Sequence, residues 1–203
     1  MSAEAQAHSA GFQNVEETDE LRRVPSGRLA VWWFLASEIM VFGGLIGCFL
    51  LVQAAHGGFG EAASHVKWKL GAFNTLVLVT SSLTMILAHS AASAHNSAKT
   101  RACLLATVLL GLLFLGVKSL EYTSEIREGF TPSAGTFWSF YFIMTGLHGL
   151  HLIGGIIVNT ILFIAALRRQ PWEILERRVE FAGLYWHFVD VVWIFLFPLI
   201  YLT

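Results

Sequence analysis

The chain has 203 residues, 55% of them hydrophobic and 13% charged, with a formal net charge of −1 and a mean hydropathy of +0.62. A soluble domain carries about 25% charged residues, so this composition excludes an ordinary water-soluble globule. The near-neutral charge, without a basic patch, excludes nucleic acid as a partner. Cys48 and Cys103 stand alone in apolar runs, outside any C-x-x-C pair. They read as small packed hydrophobes, not as a disulfide frame or zinc site.

In chain order, residues 1–27 form a polar tail with Glu4, Glu16, Glu17, Asp19 and Glu20. The tail lacks the basic-then-apolar order of a cleaved signal peptide. Residues 28–203 form the membrane domain. Five apolar runs in it are long enough to cross a bilayer, which takes about 20 residues each. They cover about 30–55, 70–92, 102–122, 137–167 and 181–202. Polar connections separate them at His56–Lys69, Ser93–Arg101, Thr123–Thr136 and Arg168–Glu180. None alternates apolar and polar residues as a lipid-facing barrel strand does. The predicted fold is therefore all-α, a polytopic bundle of five transmembrane helices.

Basic residues set the orientation. Arg22, Arg23, Arg28, Lys99, Arg101, Arg168, Arg169, Arg177 and Arg178 fall on one side, and Lys67, Lys69, Lys118 and Arg127 on the other. This places the N-terminus in the cytoplasm, the C-terminus outside and the chain in the cell inner (plasma) membrane. Gly43 and Gly47 form a G-x-x-x-G that would allow close helix approach. Pro198 is expected to kink the last helix near its outer end.

Several ionisable residues lie within the spans, where they are costly and need a partner or a polar cavity. Glu38 lies roughly 12 Å from the start of the first span, and Asp190 about 13 Å into the fifth. With His187 one turn away, the three could share one polar layer. His187 and Asp190, three residues apart on one helix face, read best as an interhelix hydrogen-bond clamp. Glu38 is open to a lipid-contact, proton-exchange or structural role. His148 and His151 occupy adjacent parts of one face, and hydrogen bonding to neighbouring helices is preferred for them over haem ligation. Glu121, at the outer end of the third span, is expected to reach interfacial water. Trp32, Trp33, Trp138 and Trp172 read as interface anchors.

Several motifs resemble cytochrome c oxidase subunit III, the third subunit of the haem–copper oxidases, in its five-helix bacterial form. The glutamate-bearing run is Ser37-Glu38-Ile39-Met40-Val41-Phe42-Gly43-Gly44, and the next helix carries Phe73-Asn74-Thr75-Leu76-Val77-Leu78 followed by Ser81-Ser82. Glu121-Tyr122 and the stretch from Phe130-Thr131 to Gly135-Thr136-Phe137 are similar. The most specific matches are Gly146-Leu147-His148-Gly149-Leu150-His151 and Tyr185-Trp186-His187-Phe188-Val189-Asp190-Val191-Val192-Trp193. They keep the family's order and extend from about Ala30 to the end.

The resemblance implies a subunit that carries no haem or copper itself. It would pack beside catalytic subunit I and subunit II, which hold those cofactors, bind structural phospholipid and support proton uptake during oxygen reduction. It also leaves room for membership of a respiratory supercomplex. The family glutamate maps to Glu38, its histidines to His148 and His151, and its last-helix pair to His187 and Asp190. Arg168 and Arg169 stand where basic residues bind lipid phosphate. Longer members have two further helices at the start, and Gly47, Leu50 and Leu51 replace aromatic or histidine residues found in many members. Open alternatives are a quinol oxidase subunit III, a nitric oxide reductase accessory subunit, an independent proton-coupled carrier and a membrane cytochrome b. Glu38 favours the cytochrome c branch.

Overall fold

The fold was analysed in a computed structural model that describes residues 26–168 and 170–202. The tail expected over 1–27 lies outside these residues except for Ser26 and Gly27, which open the first helix. Among the described residues all regular structure is helical: α1 (Ser26–Ala55), a one-turn α2 (Gly60–Ala63), α3 (Trp68–Ser93), α4 (Ser97–Arg127), α5 (Thr136–Leu167) and α6 (Trp172–Tyr201). The five long helices have 26 to 32 residues, about 39–48 Å at the helical rise, and are apolar enough to cross a membrane. Their apolar residues lie all around each axis, as expected where one side meets protein and the other meets lipid. Large side chains such as Leu76, Leu120 and Phe195 are left exposed on the outside.

The helices run beyond the apolar stretches. α4 begins at Ser97 and ends at Arg127, and α6 begins at Trp172, nine residues before the apolar run. The early turns of α6 are amphipathic. Leu175 and Val179 are buried while Glu173, Arg177 and Arg178 are exposed, so this segment continues the helix above the lipid. Asn96 caps α4, its side chain accepting from Lys99 N at 3.1 Å. α4 closes with Gly129 in the left-handed region (φ 94°), Gly129 N donating to Ile126 O and Phe130 N to Glu125 O. α6 continues through Pro198 to Tyr201.

α3 packs on α4 and α6, and α5 packs on the same two, so these four helices close a ring in up-down-up-down order. Trp186 of α6 fills its centre. A Cβ built on Gly111 would lie 2.9 Å from this indole, and one on Gly155 2.8 Å from it. Trp186 Nε1–H donates to Ser81 Oγ at 3.0 Å, and Trp193 Nε1–H to Thr75 Oγ1 at 3.0 Å. Gly71 makes a third close approach, a Cβ there lying 2.8 Å from the Tyr201 ring. Gly43 and Gly47 of the G-x-x-x-G have nothing within 4 Å of a Cβ, so that motif makes no close helix contact here. The Glu38–Ala55 part of α1 packs through one stripe, with Phe42 against the rings of His151 and Phe188 and Phe49 against Phe59, Phe137 and Phe140.

A charged group also sits within the ring. Lys118 Nζ donates to Glu121 Oε2 at 3.2 Å, to Tyr141 OH at 3.1 Å and to Tyr201 OH. The two phenols donate in turn to Glu121 Oε1, at 2.9 and 2.7 Å. The rings of Tyr141, Tyr122, Tyr201 and Trp193 lie 4.6 to 5.5 Å from the ammonium, within cation–π range.

Two outcomes follow for unfolding in detergent. Gly155→Ala should destabilise the chain by about 1–3 kcal/mol through overpacking, whereas Gly43→Ala should leave stability unchanged or raise it by up to about 1 kcal/mol. Lys118→Met should cost about 3–5 kcal/mol, because it strands Glu121, and adding Glu121→Gln should recover part of the loss. Denaturant titration of the single and double variants, followed by circular dichroism, measures both.

Candidate functional site

Glu38 reaches from α1 to His151 of α5, with 2.9 Å between Oε2 and Nε2. The other ring nitrogen, Nδ1, lies 2.9 Å from Leu147 O, one turn back on α5. A carbonyl can only accept, so Nδ1 carries a hydrogen. Nε2 and the facing carboxyl oxygen then need one proton between them. Either Glu38 is protonated and donates to a neutral imidazole, or His151 is an imidazolium paired with a carboxylate. In both states the two side chains together have zero net charge, which suits hydrocarbon depth.

Elements around the pair fix it in place. Phe42, one turn after Glu38, meets the His151 ring edge-on at 5.2 Å. Tyr185 OH of α6 donates to His151 O at 2.9 Å. The side chains of His151 and Glu38 keep 14% and 17% of their surface accessible, so the pair opens to the side of the helices. Two apolar grooves flank it. One, of about 430 Å³, runs between α1 and α6 and is lined by Ile39, Phe42, Ile46, Phe188, Val191 and Phe195. The other, of about 360 Å³, lies between α5 and α6 with Tyr185 and Arg178 among its walls.

The remaining candidates lie apart from this pair. His148, three residues before His151, is buried inside the ring against Trp193 and Phe114, with ring centroids at 5.1 and 5.7 Å. Neither of its nitrogens has a hydrogen-bond partner among the described residues. The two histidines thus face different surroundings. His187 Nδ1 lies 2.6 Å from Ser82 Oγ of α3. Asp190 is buried, and neither of its carboxyl oxygens has a hydrogen-bond partner among the described residues. His187 therefore turns to Ser82, and Glu38 takes its partner from α5 instead of sharing a layer with His187 and Asp190.

Glu121 is fully buried under Lys118, Tyr141 and Tyr201, away from interfacial water, because those three side chains supply the partners that water would. Trp138 is also buried, stacked on Phe130, while Trp32 and Trp33 are exposed. Arg168 is exposed at the end of α5, and Arg169 lies outside the described residues. Sequence reasoning missed Lys118, counting it with the outer basic residues. Its spacing of three from Glu121 was the available signal. At the same end of the ring Lys67 Nζ bonds Glu128 Oε1 at 3.0 Å and also reaches Ser124. That bond raises the Lys67 pKa and lowers that of Glu128. Among the described residues no three His, Cys, Asp or Glu side chains converge as a metal ion would need.

The sequence matches the family described as Cytochrome c oxidase subunit III over residues 21–203. It is 36% identical over 179 residues to a cytochrome c oxidase subunit 3 of Alkalihalophilus pseudofirmus, covering 86% of this chain and 85% of that protein. It is 33% identical over 180 residues to a probable quinol oxidase subunit 3 of Staphylococcus haemolyticus, covering 86% and 88%. A probable quinol oxidase subunit 3 of Staphylococcus aureus is 33% identical over 178 residues. With five membrane-length helices and the family's motifs on them, this chain is a multi-pass membrane protein of the cytochrome c oxidase subunit III family, a subunit of the haem–copper oxidases.

Proposed function

We propose that the chain is the non-catalytic third subunit of a respiratory terminal oxidase that takes electrons from cytochrome c. It stabilises catalytic subunit I, holds phospholipid against its own helices and keeps protons supplied to the partner during oxygen reduction. Haem and copper belong to the catalytic subunits. The N-terminus is cytoplasmic and the C-terminus outside, in line with the excess of basic residues at the α3–α4 and α5–α6 connections.

The carrying observation is the Glu38–His151 pair. It is a one-proton group, partly accessible from the side, that joins α1 to the four-helix ring. Such a pair can pass a proton in either direction with little change in charge at membrane depth. The grooves beside it have the apolar lining that acyl chains need, and Arg178 at the edge of one suits a lipid phosphate. Arg168 and Arg169 remain candidates for the same headgroup chemistry.

The quinol-oxidase relatives favour a second reading, in which the same subunit serves an enzyme that oxidises quinol. Purification in mild detergent through a tag on this chain separates the two. Haem and copper content, the co-purifying subunits, and oxygen consumption with cytochrome c or with quinol identify the donor. A colourless chain without partners would reject both.

Glu38→Gln keeps a hydrogen bond to His151 but removes the exchangeable carboxyl proton. The variant oxidase should assemble normally and lose activity after fewer turnovers. Oxygen-electrode traces run to inactivation, together with phospholipid phosphorus per complex, provide the check. Wild-type lifetime and wild-type lipid content would take Glu38 out of the mechanism.

A further inference from the structure

A second polar cavity, of about 480 Å³, lies at the end of the ring where α3 hands over to α4 and α5 to α6. Its walls include His95, Ser97, Arg101, Gln170, Trp172 and Leu175. It touches neither Glu38 nor His151, and no carboxylate lines it.

The donors at this cavity lack acceptors. Arg101 Nε donates to Ser97 O at 3.0 Å, which orients the guanidinium plane. The terminal nitrogens of Arg101 have no acceptor among the described residues. The amide oxygen of Gln170 already accepts from Arg178 Nη1 at 3.2 Å, so its NH2 group is the part left to donate. Ser97 adds a hydroxyl and Trp172 an indole N–H, neither bonded within the described residues. The His95 ring stacks on Trp172, with centroids at 5.3 Å and planes 12° apart, forming a flat wall. Leu175 supplies apolar surface beneath. Trp172 opens α6, in the charged first turns that precede its apolar run.

We infer that this cavity is a phosphate site, with Arg101 as the bidentate ligand and Gln170, Ser97 and Trp172 as further donors. A guanidinium fork matches two phosphate oxygens, and the acceptor-poor walls match the remaining ones. The phosphodiester of a membrane phospholipid offers these oxygens, with its chains lying along the outside of the ring. Free phosphate presents the same chemistry. The site is separate from the Glu38 region and stands whether or not the reading of that region holds.

The test uses the assembled oxidase, purified through a tag on this chain and stripped of lipid in detergent. Dioleoyl phosphatidylglycerol in mixed micelles is titrated in one arm and sodium phosphate in the other. Native mass spectrometry of this subunit, released from the complex, counts what is bound. Arg101→Gln should weaken binding about tenfold or more, and Arg101→Lys, which keeps the charge but not the fork, by less. Arg177→Gln, an exposed arginine outside the cavity, should match the wild type. A loss confined to the lipid arm assigns a phospholipid headgroup, and a loss in the phosphate arm assigns free phosphate. Equal binding by wild type and Arg101→Gln in both arms overturns the inference, as does an equal loss in Arg177→Gln. If Arg101→Gln does not assemble, Arg101→Lys carries the test, and wild-type affinity in that variant overturns the site.

Discussion

Lys118 brings a positive charge to the place where α4, α5 and α6 meet, and its neighbours are arranged around that charge. Hydrocarbon offers no acceptor and little screening, so the compensation comes from within the chain. Glu121 supplies the opposite charge one turn away. Tyr141 of α5 and Tyr201 of α6 each accept from the ammonium and donate to the carboxylate. Tyr122 turns its ring to the cation, and its hydroxyl lies 2.6 Å from Thr145 Oγ1, which itself donates to Tyr141 O. Because α4, α5 and α6 all contribute, sliding any one of them by a turn would leave a charged or phenolic group without a partner. The cluster thus fixes the relative register of three helices, something apolar packing alone specifies weakly between smooth surfaces.

The Glu38–His151 pair is built on the opposite principle. It lies outside the ring, on the one stripe by which the described second part of α1 touches α5 and α6. It keeps some access from the side. Lys118 and Glu121, by contrast, are almost fully enclosed. The two sites differ in kind: one ties three helices together from within, and the other stays partly open at the side.

The five helices were legible because each apolar run is long, and length at this hydropathy has one explanation. Their ends were less so. The first turns of α6 are charged, yet Leu175 and Val179 at four-residue spacing continue the buried face, and hydropathy averaging hides that. Glu38 and His151 were both named from sequence, but their pairing was not. They are 113 positions apart, and only helix packing brings them together. Likewise the spacing of His187 and Asp190 indicated a shared face but not that His187 would bond Ser82 while the Asp190 oxygens find no partner among the described residues. Lys118 was misplaced because a lysine near a helix end ordinarily extends to water. The tyrosines that retain it come from residues 23 and 83 positions away.

The outward side of α1 after Glu38 carries Ile39, Met40, Leu50 and Leu51, with 59%, 79%, 47% and 74% of their surface bare. Among the described residues, little packs against this bare surface. Methyl-bearing groups of any branching dissolve equally well in lipid, so natural selection acting through this polypeptide alone constrains them only to remain greasy. Trp186, clasped by Gly111 and Gly155, has no such latitude. Drift among descendants should therefore run fast along one flank of the molecule and nearly stop at its axis. Any slow-changing position on the bare flank would mark where a foreign helix leans.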